Sequence, residues 1–159
     1  MRMRTRSLLF AKAIRLGVLC AAAAWASPVA ASKIACVGDS ITYGYNLSNP
    51  STESYPAVLQ TLIGSAHTVK NFGSSGCTLL KKGDKPYWND TQFSASDSFK
   101  PDVVVVMLGT NDAKSQNWSH QADFAGDYNS MIDHYRGLGA LVYVAGPPPV
   151  VSPGNFQID

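Results

Sequence analysis

Cysteine is scarce in this chain and poorly placed for metal. Three occur in 159 residues. None sits in a Cys-x-x-Cys pair or at ligand spacing from a histidine, which excludes a structural zinc site; no other metal site is indicated. No Gly-x-Gly-x-x-Gly order is present, so a dinucleotide-binding reading fails, and no cofactor is implied. No segment repeats, and no low-complexity tract or second domain interrupts the chain. A membrane-spanning run is also missing. The uncharged stretch from Leu16 to Ser32 contains Pro28 and many alanines, and is marginal against the ~20 apolar residues a spanning helix needs.

The amino end reads instead as a secretory signal peptide over residues 1–31. Arg2, Arg4, Arg6, Lys12 and Arg15 form a basic front, Leu16 to Ala24 is short and apolar, and Val29-Ala30-Ala31 offers small residues before a cut. Bulky Val18 and Leu19 precede Cys20, which argues against lipid attachment there. The expected location is secreted or periplasmic, with no stable membrane insertion after cleavage. The thirteen basic residues less the leader's five leave eight against eleven acidic, a net of −3. No basic patch remains to suggest nucleic acid or an anionic membrane as a partner. Residues 32–159 suffice for one domain with one core. Of their two cysteines, Cys36 and Cys77, the first lies inside a strand-like run. Export would permit a disulfide, but buried free thiols fit that placement better.

Strand and helix patterns alternate along this domain. Ile34–Val37 is a short buried strand. A helix follows from Ser54-Tyr55-Pro56, stopped by Gly64, with Val58, Leu59, Leu62 and Ile63 as its apolar set. Thr68–Phe72 is a second strand, and Phe93–Phe99 a second helix ended by Pro101. The run Val103–Leu108 is β-branched and continuous, as in a parallel sheet buried on both faces. A long helix is expected over roughly Ser119–Arg136, with Phe124, Tyr128, Met131, Ile132, Tyr135 and Leu138 in one stripe. Leu141–Val144 is a fourth strand. The pattern predicts an α/β fold with a doubly wound, flavodoxin-like parallel sheet. No helix follows the fourth strand, so one apolar face is expected to be open and the carboxyl-terminal part of the domain to be missing.

Three polar segments fall at strand ends: Gly38-Asp39-Ser40-Ile41-Thr42-Tyr43-Gly44, Asn71-Phe72-Gly73 and Gly109-Thr110-Asn111-Asp112. Open α/β sheets carry their sites at that edge. A small hydroxyl, close-approaching backbone and an amide are the parts acyl transfer needs. Together these blocks resemble the GDSL/SGNH hydrolase superfamily. The resemblance implies that Ser40 is the nucleophile, and that the Ser40 N–H, the Gly73 N–H and the Asn111 amide form an oxyanion hole. Ser54–Leu59, Thr78–Trp88 and Asn111–Trp118 are similar to its secreted carbohydrate (sialate-type) O-acetylesterase branch, which implies a small-molecule or glycan ester as substrate. Tyr87, Trp88 and Trp118 are candidates for an aromatic wall against a sugar ring. Asp39 and His120 join them on the candidate substrate side, although Asp39 and Asp112 suit local turns better than proton transfer.

The family's carboxyl-terminal Asp-x-x-His block, which would supply the base, is absent. Three residues before His67, His120 and His134 stand Gly64, Asn117 and Met131. His67 and His134 belong to the opposite edge of the predicted sheet; only His120 belongs to the active one, where an exposed helix-start residue is its simpler role. The chain alone is therefore expected to turn over poorly. Two further readings stand beside the esterase: a lysophospholipase or acyl-thioesterase sharing every block, and a carbohydrate-binding remnant without catalysis.

Overall fold

The computed structural model describes residues 30–148. The signal-peptide reading falls mainly on residues outside that range. In chain order the elements are β1 (Lys33–Gly38), α1 (Ser40–Tyr43), α2 (Pro50–Glu53), α3 (Tyr55–Ile63), β2 (Thr68–Gly73), α4 (Thr91–Phe99), β3 (Val103–Met107), α5 (Ser115–Trp118), α6 (Phe124–Gly137) and β4 (Leu141–Val144), with 3₁₀ turns at Tyr87–Asn89 and Gln121–Asp123. The four strands form one parallel sheet in the order β2-β1-β3-β4. This is the doubly wound architecture expected from the alternating pattern.

Strand parity sorts the core. Ala35, Val37, Val104 and Val106 pack with Phe72, Leu79, Tyr87, Met131 and Tyr135, so the face carrying α6 is the apolar one. Ser96 of α4 and Tyr135 of α6 share a buried hydroxyl hydrogen bond of 2.7 Å. Cys36, of opposite parity, is buried beside Tyr55 of α3. One glutamine fastens α3 to β2: Gln60 Nε2 donates to Gly64 O at 2.8 Å and His67 O at 3.1 Å, and its Oε1 accepts from Val69 N at 2.7 Å.

Several boundaries differ from the sequence expectation. The third helix starts at Phe124, not Ser119. Asn117 is held by its side chain, donating to Asn111 O at 2.8 Å and Asp84 Oδ1 at 3.0 Å. His120, at φ −102° and ψ 17°, turns the chain out of helical conformation before α6. α4 starts at Thr91 because Asp90 caps it, accepting from Gln92 N at 2.9 Å. The four-residue helices α1 and α2 carry no apolar periodicity and were not expected; Asp39 and Asn49 cap them. At the sheet edge Leu141, Tyr143 and Val144 of β4 are 65%, 60% and 52% exposed among the described residues. No helix among the described residues is long and apolar enough to cross a membrane.

Candidate active site

Register brings the three strand ends level. Gly38 pairs with Gly73 on one side and with Met107 on the other. β1 returns toward β2 while β3 lies on its opposite flank, so the strand order reverses between β1 and β3. Ligands of open α/β sheets bind outside the carboxyl ends at such a point. Ser40, the Ser74–Cys77 turn and Gly109–Asp112 all leave the sheet there.

Ser40 is the first residue of α1. Asp39 fixes the turn before it, accepting from Ile41 N at 2.9 Å. The Ser40 carbonyl accepts from Gly44 N at 3.0 Å and Tyr45 N at 2.9 Å. Its Oγ and N–H have no hydrogen-bond partner among the described residues. Asp39 is 1% exposed. Burial pushes its carboxyl above the usual carboxylate range, with the Ile41 N–H pulling the other way. It caps α1 beneath Ser40 and is closed off from solvent, a placement that does not suit the substrate contact expected of it.

The second block departs from expectation. The Gly73 N–H donates to Asn71 Oδ1 at 2.9 Å and is not free for an oxyanion. Position 73 is glycine for space: a Cβ there would collide with the Tyr43 backbone nitrogen and lie 2.7 Å from the Thr42 carbonyl carbon. Asn71 seals the same contact, its Nδ2 donating to Thr42 O at 2.8 Å. Three residues on, Ser74–Cys77 forms a tight turn closed by Cys77 N to Ser74 O at 3.2 Å. Gly76 takes φ +83° there, as the third residue of a type II turn requires. Its N–H has no partner among the described residues. The signal that could have found Gly76 is its place after Ser74-Ser75, in a turn just beyond the strand.

Asn111 joins the blocks. It is 7% exposed, and its Nδ2 lies 3.1 Å from Cys77 O and 3.5 Å from Asp39 Oδ2. One amide thus spans the segments after β1 and β2. Asp112 beside it is fully buried and accepts from Leu79 N at 2.9 Å and Leu80 N at 2.6 Å. It anchors the loop that follows the Gly76 turn. Neither thiol is poised to act as a nucleophile. Burial pushes Cys36 up to about 11, and it also raises Cys77, so neither is a thiolate near neutral pH. Both are free and buried.

The expected aromatic wall is not assembled. Tyr87 is 0% exposed, and its hydroxyl donates to Phe72 O at 2.6 Å; it belongs to the core. Trp88 donates its Nε1–H to Leu79 O at 2.8 Å, stacks near Phe93 and carries the Lys81 ammonium 4.4 Å from its ring. Trp118 packs edge-on to Phe124 at 5.8 Å. The irregular loop uses these rings to hold itself onto the domain. His67 accepts from Ser32 N at 3.2 Å, at the amino end of the sheet. His134 pairs with Asp97 at 2.9 Å and lies against Phe93. His120 donates its backbone N–H to Asn117 O at 2.9 Å, and its ring has no hydrogen-bond partner among the described residues. No described histidine bonds to Ser40. No group of described His, Cys, Asp and Glu is placed to hold a metal.

A parallel α/β sheet that ends its first strand in this serine has the SGNH hydrolase fold. The chain belongs to the GDSL-like Lipase/Acylhydrolase family, which residues 36–158 match. An acetylxylan esterase from Xylanibacter ruminicola is 45% identical over 106 residues, 67% of this chain, while the chain spans 22% of that protein's length. Among solved structures, a carbohydrate acetylesterase family member from Sinorhizobium meliloti superposes with a TM-score of 0.61 at 22% identity, covering 78% of this chain and 66% of that one. Est24, a carbohydrate acetylesterase from the same organism, gives 0.60 at 24% identity, covering 75% and 65%. These two support the fold.

Proposed function

We propose that the protein is an exported serine esterase that removes O-acetyl groups from carbohydrate, with Ser40 as nucleophile. The observation that carries this reading is the Asn111 amide, which spans Asp39 and Cys77 and so gathers three strand-end segments around one serine. Ser40 Oγ attacks the acetyl carbonyl carbon and its proton passes to a base. The oxyanion is held by the Ser40 N–H, by the Gly76 N–H in place of Gly73, and by the Asn111 Nδ2–H that gives up its long 3.5 Å contact with Asp39 Oδ2 while the other stays on Cys77 O. The C–O bond to the sugar breaks, the sugar oxygen takes up the proton, and water then releases acetate from the acyl-serine. The acetyl preference rests on likeness to the acetylxylan esterase of X. ruminicola. Export rests on the basic-then-apolar amino end.

The base is assigned to a group other than this sequence's three histidines, since His67 and His134 are engaged elsewhere and the His120 ring, though without a partner among the described residues, makes no bond to Ser40. Hydrolysis of 4-nitrophenyl acetate tests the assignment. The 159-residue chain is expected to turn over slowly, and Ser40→Ala to remove what activity there is. Asn111→Ala should lower kcat about a hundred- to a thousandfold with little change in KM, as removal of one oxyanion donor does. Robust turnover that survives Ser40→Ala would refute the nucleophile. Robust turnover lost in His120→Ala would make His120 the base.

A further inference from the structure

The aromatics free to meet a sugar are not the ones the loop sequence suggests. Tyr43 and Tyr45 are 49% and 64% exposed. Tyr43 ends α1 and Tyr45 lies just beyond it, and the Tyr45 N–H donates to the carbonyl of Ser40 itself at 2.9 Å, so the backbone places both residues within about one turn of Ser40. They line an open groove of about 470 Å³ together with Ser75, Lys85, Asp90 and Gln92. That volume suits a small ligand, within the ~300–1,000 Å³ usual for such sites. Ser75 belongs to the turn that carries Gly76, so the groove runs alongside the oxyanion donors on the β2 side of Ser40.

The chemistry of the walls is selective. The charges inside the groove are already paired: Lys85 Nζ lies 2.9 Å from Ser75 O, 3.1 Å from Ser74 Oγ and 3.5 Å from Asp90 Oδ2. Asp90 also accepts from Ser74 Oγ at 2.7 Å. No unpaired cation is left for a carboxylate or phosphate. By contrast, the Gln92 amide, the Ser75 hydroxyl and both tyrosine hydroxyls have no hydrogen-bond partner among the described residues. Two exposed aromatic side chains sharing a groove with uncharged donors and acceptors match a ring that is apolar on its C–H face and hydroxylated at its rim.

We propose that this groove is the subsite for a neutral sugar unit flanking the esterified one, with Tyr45 as stacking platform and Gln92 as hydroxyl-binding group. The proposal rests on the carbohydrate-esterase reading of Ser40 and adds to it the side on which the glycan chain lies and the charge it must have. Calorimetric titration of xylotetraose into the Ser40→Ala protein tests it without requiring catalysis. Adding Tyr45→Ala or Gln92→Ala is expected to raise Kd about tenfold each, while Tyr45→Phe, which keeps the ring, stays close to the parent. Melting temperatures matching that of Ser40→Ala would show that the fold is intact. A xylotetraose bearing glucuronic acid should bind no tighter than the neutral one. Absence of binding at millimolar concentrations, unchanged Kd in both truncations, or markedly tighter binding of the acidic oligomer would each overturn the proposal. Nitrophenyl acetate hydrolysis that persists in Ser40→Ala would sink the esterase reading alone, leaving the titration to decide the groove.

Discussion

Gly73 and Gly76 occupy one short segment and answer different demands. Gly73 is where β2 touches the backbone of α1; Gly76 is where the turn after β2 needs a positive φ. Adding a Cβ at Gly73 pushes against the Tyr43 nitrogen and the Thr42 carbonyl carbon, neither of which can swing aside. Gly73→Ala is therefore expected to destabilise the fold by about 1–3 kcal/mol, the usual cost of overpacking, as read from urea denaturation; an unchanged midpoint would mean that α1 is not seated on β2 as described. The strand-end serine and Asn111 were legible in the sequence because each follows an apolar run that must be a strand. Which glycine offers its N–H was not, because that depends on the direction of the Asn71 side chain. The same holds for the rings. Tyr87 looks like a surface loop aromatic until Phe72 O is found to accept from its hydroxyl.

At the scale of elements, the site is held by short polar ties between loops, more than by long helices. Asp112 connects the exit of β3 to the Leu79-Leu80 segment through two backbone N–H groups, and Asn117 connects α5 to the same region. Burial dominates the Asp112 environment and holds its carboxyl above the usual carboxylate range, against the pull of the Leu80 and Leu79 N–H groups. Folded Asp112 thus keeps its proton to higher pH than unfolded Asp112. Its contribution to stability is fullest below the ordinary carboxylate pKa and declines as pH rises from that value through the raised one. The stability advantage of the parent over Asp112→Asn should therefore shrink with rising pH across that window in a urea series. An advantage that grows with pH would mean that the two N–H bonds outweigh burial. Strands were readable here because three apolar runs and the mixed Thr68–Phe72 segment alternate with helical stretches. The start of α6 was not readable: the apolar stripe begins at Phe124, but only the side-chain bonds of Asn117 show why the five residues before it leave the helix.

For the molecule as a whole, one sheet edge gathers the three strand-end segments, and the proposed sugar groove adjoins it. The parallel order β2-β1-β3-β4 sets Ser40 at the reversal of strand order, and the Asn111 amide spans the segments that follow β1 and β2. The loop aromatics serve stability, and the exposed Tyr43 and Tyr45, at the end of the first block and just beyond it, are left to face solvent beside Ser40. The account depends most on Ser40 being the nucleophile, and covalent trapping tests that most directly, since a single-turnover label accumulates even when turnover is slow. After prolonged incubation with diethyl 4-nitrophenyl phosphate, peptide mass mapping should find one diethylphosphoryl adduct, on Ser40, absent from Ser40→Ala. An adduct on another residue, or equal labelling of the Ser40→Ala protein, would contradict the account.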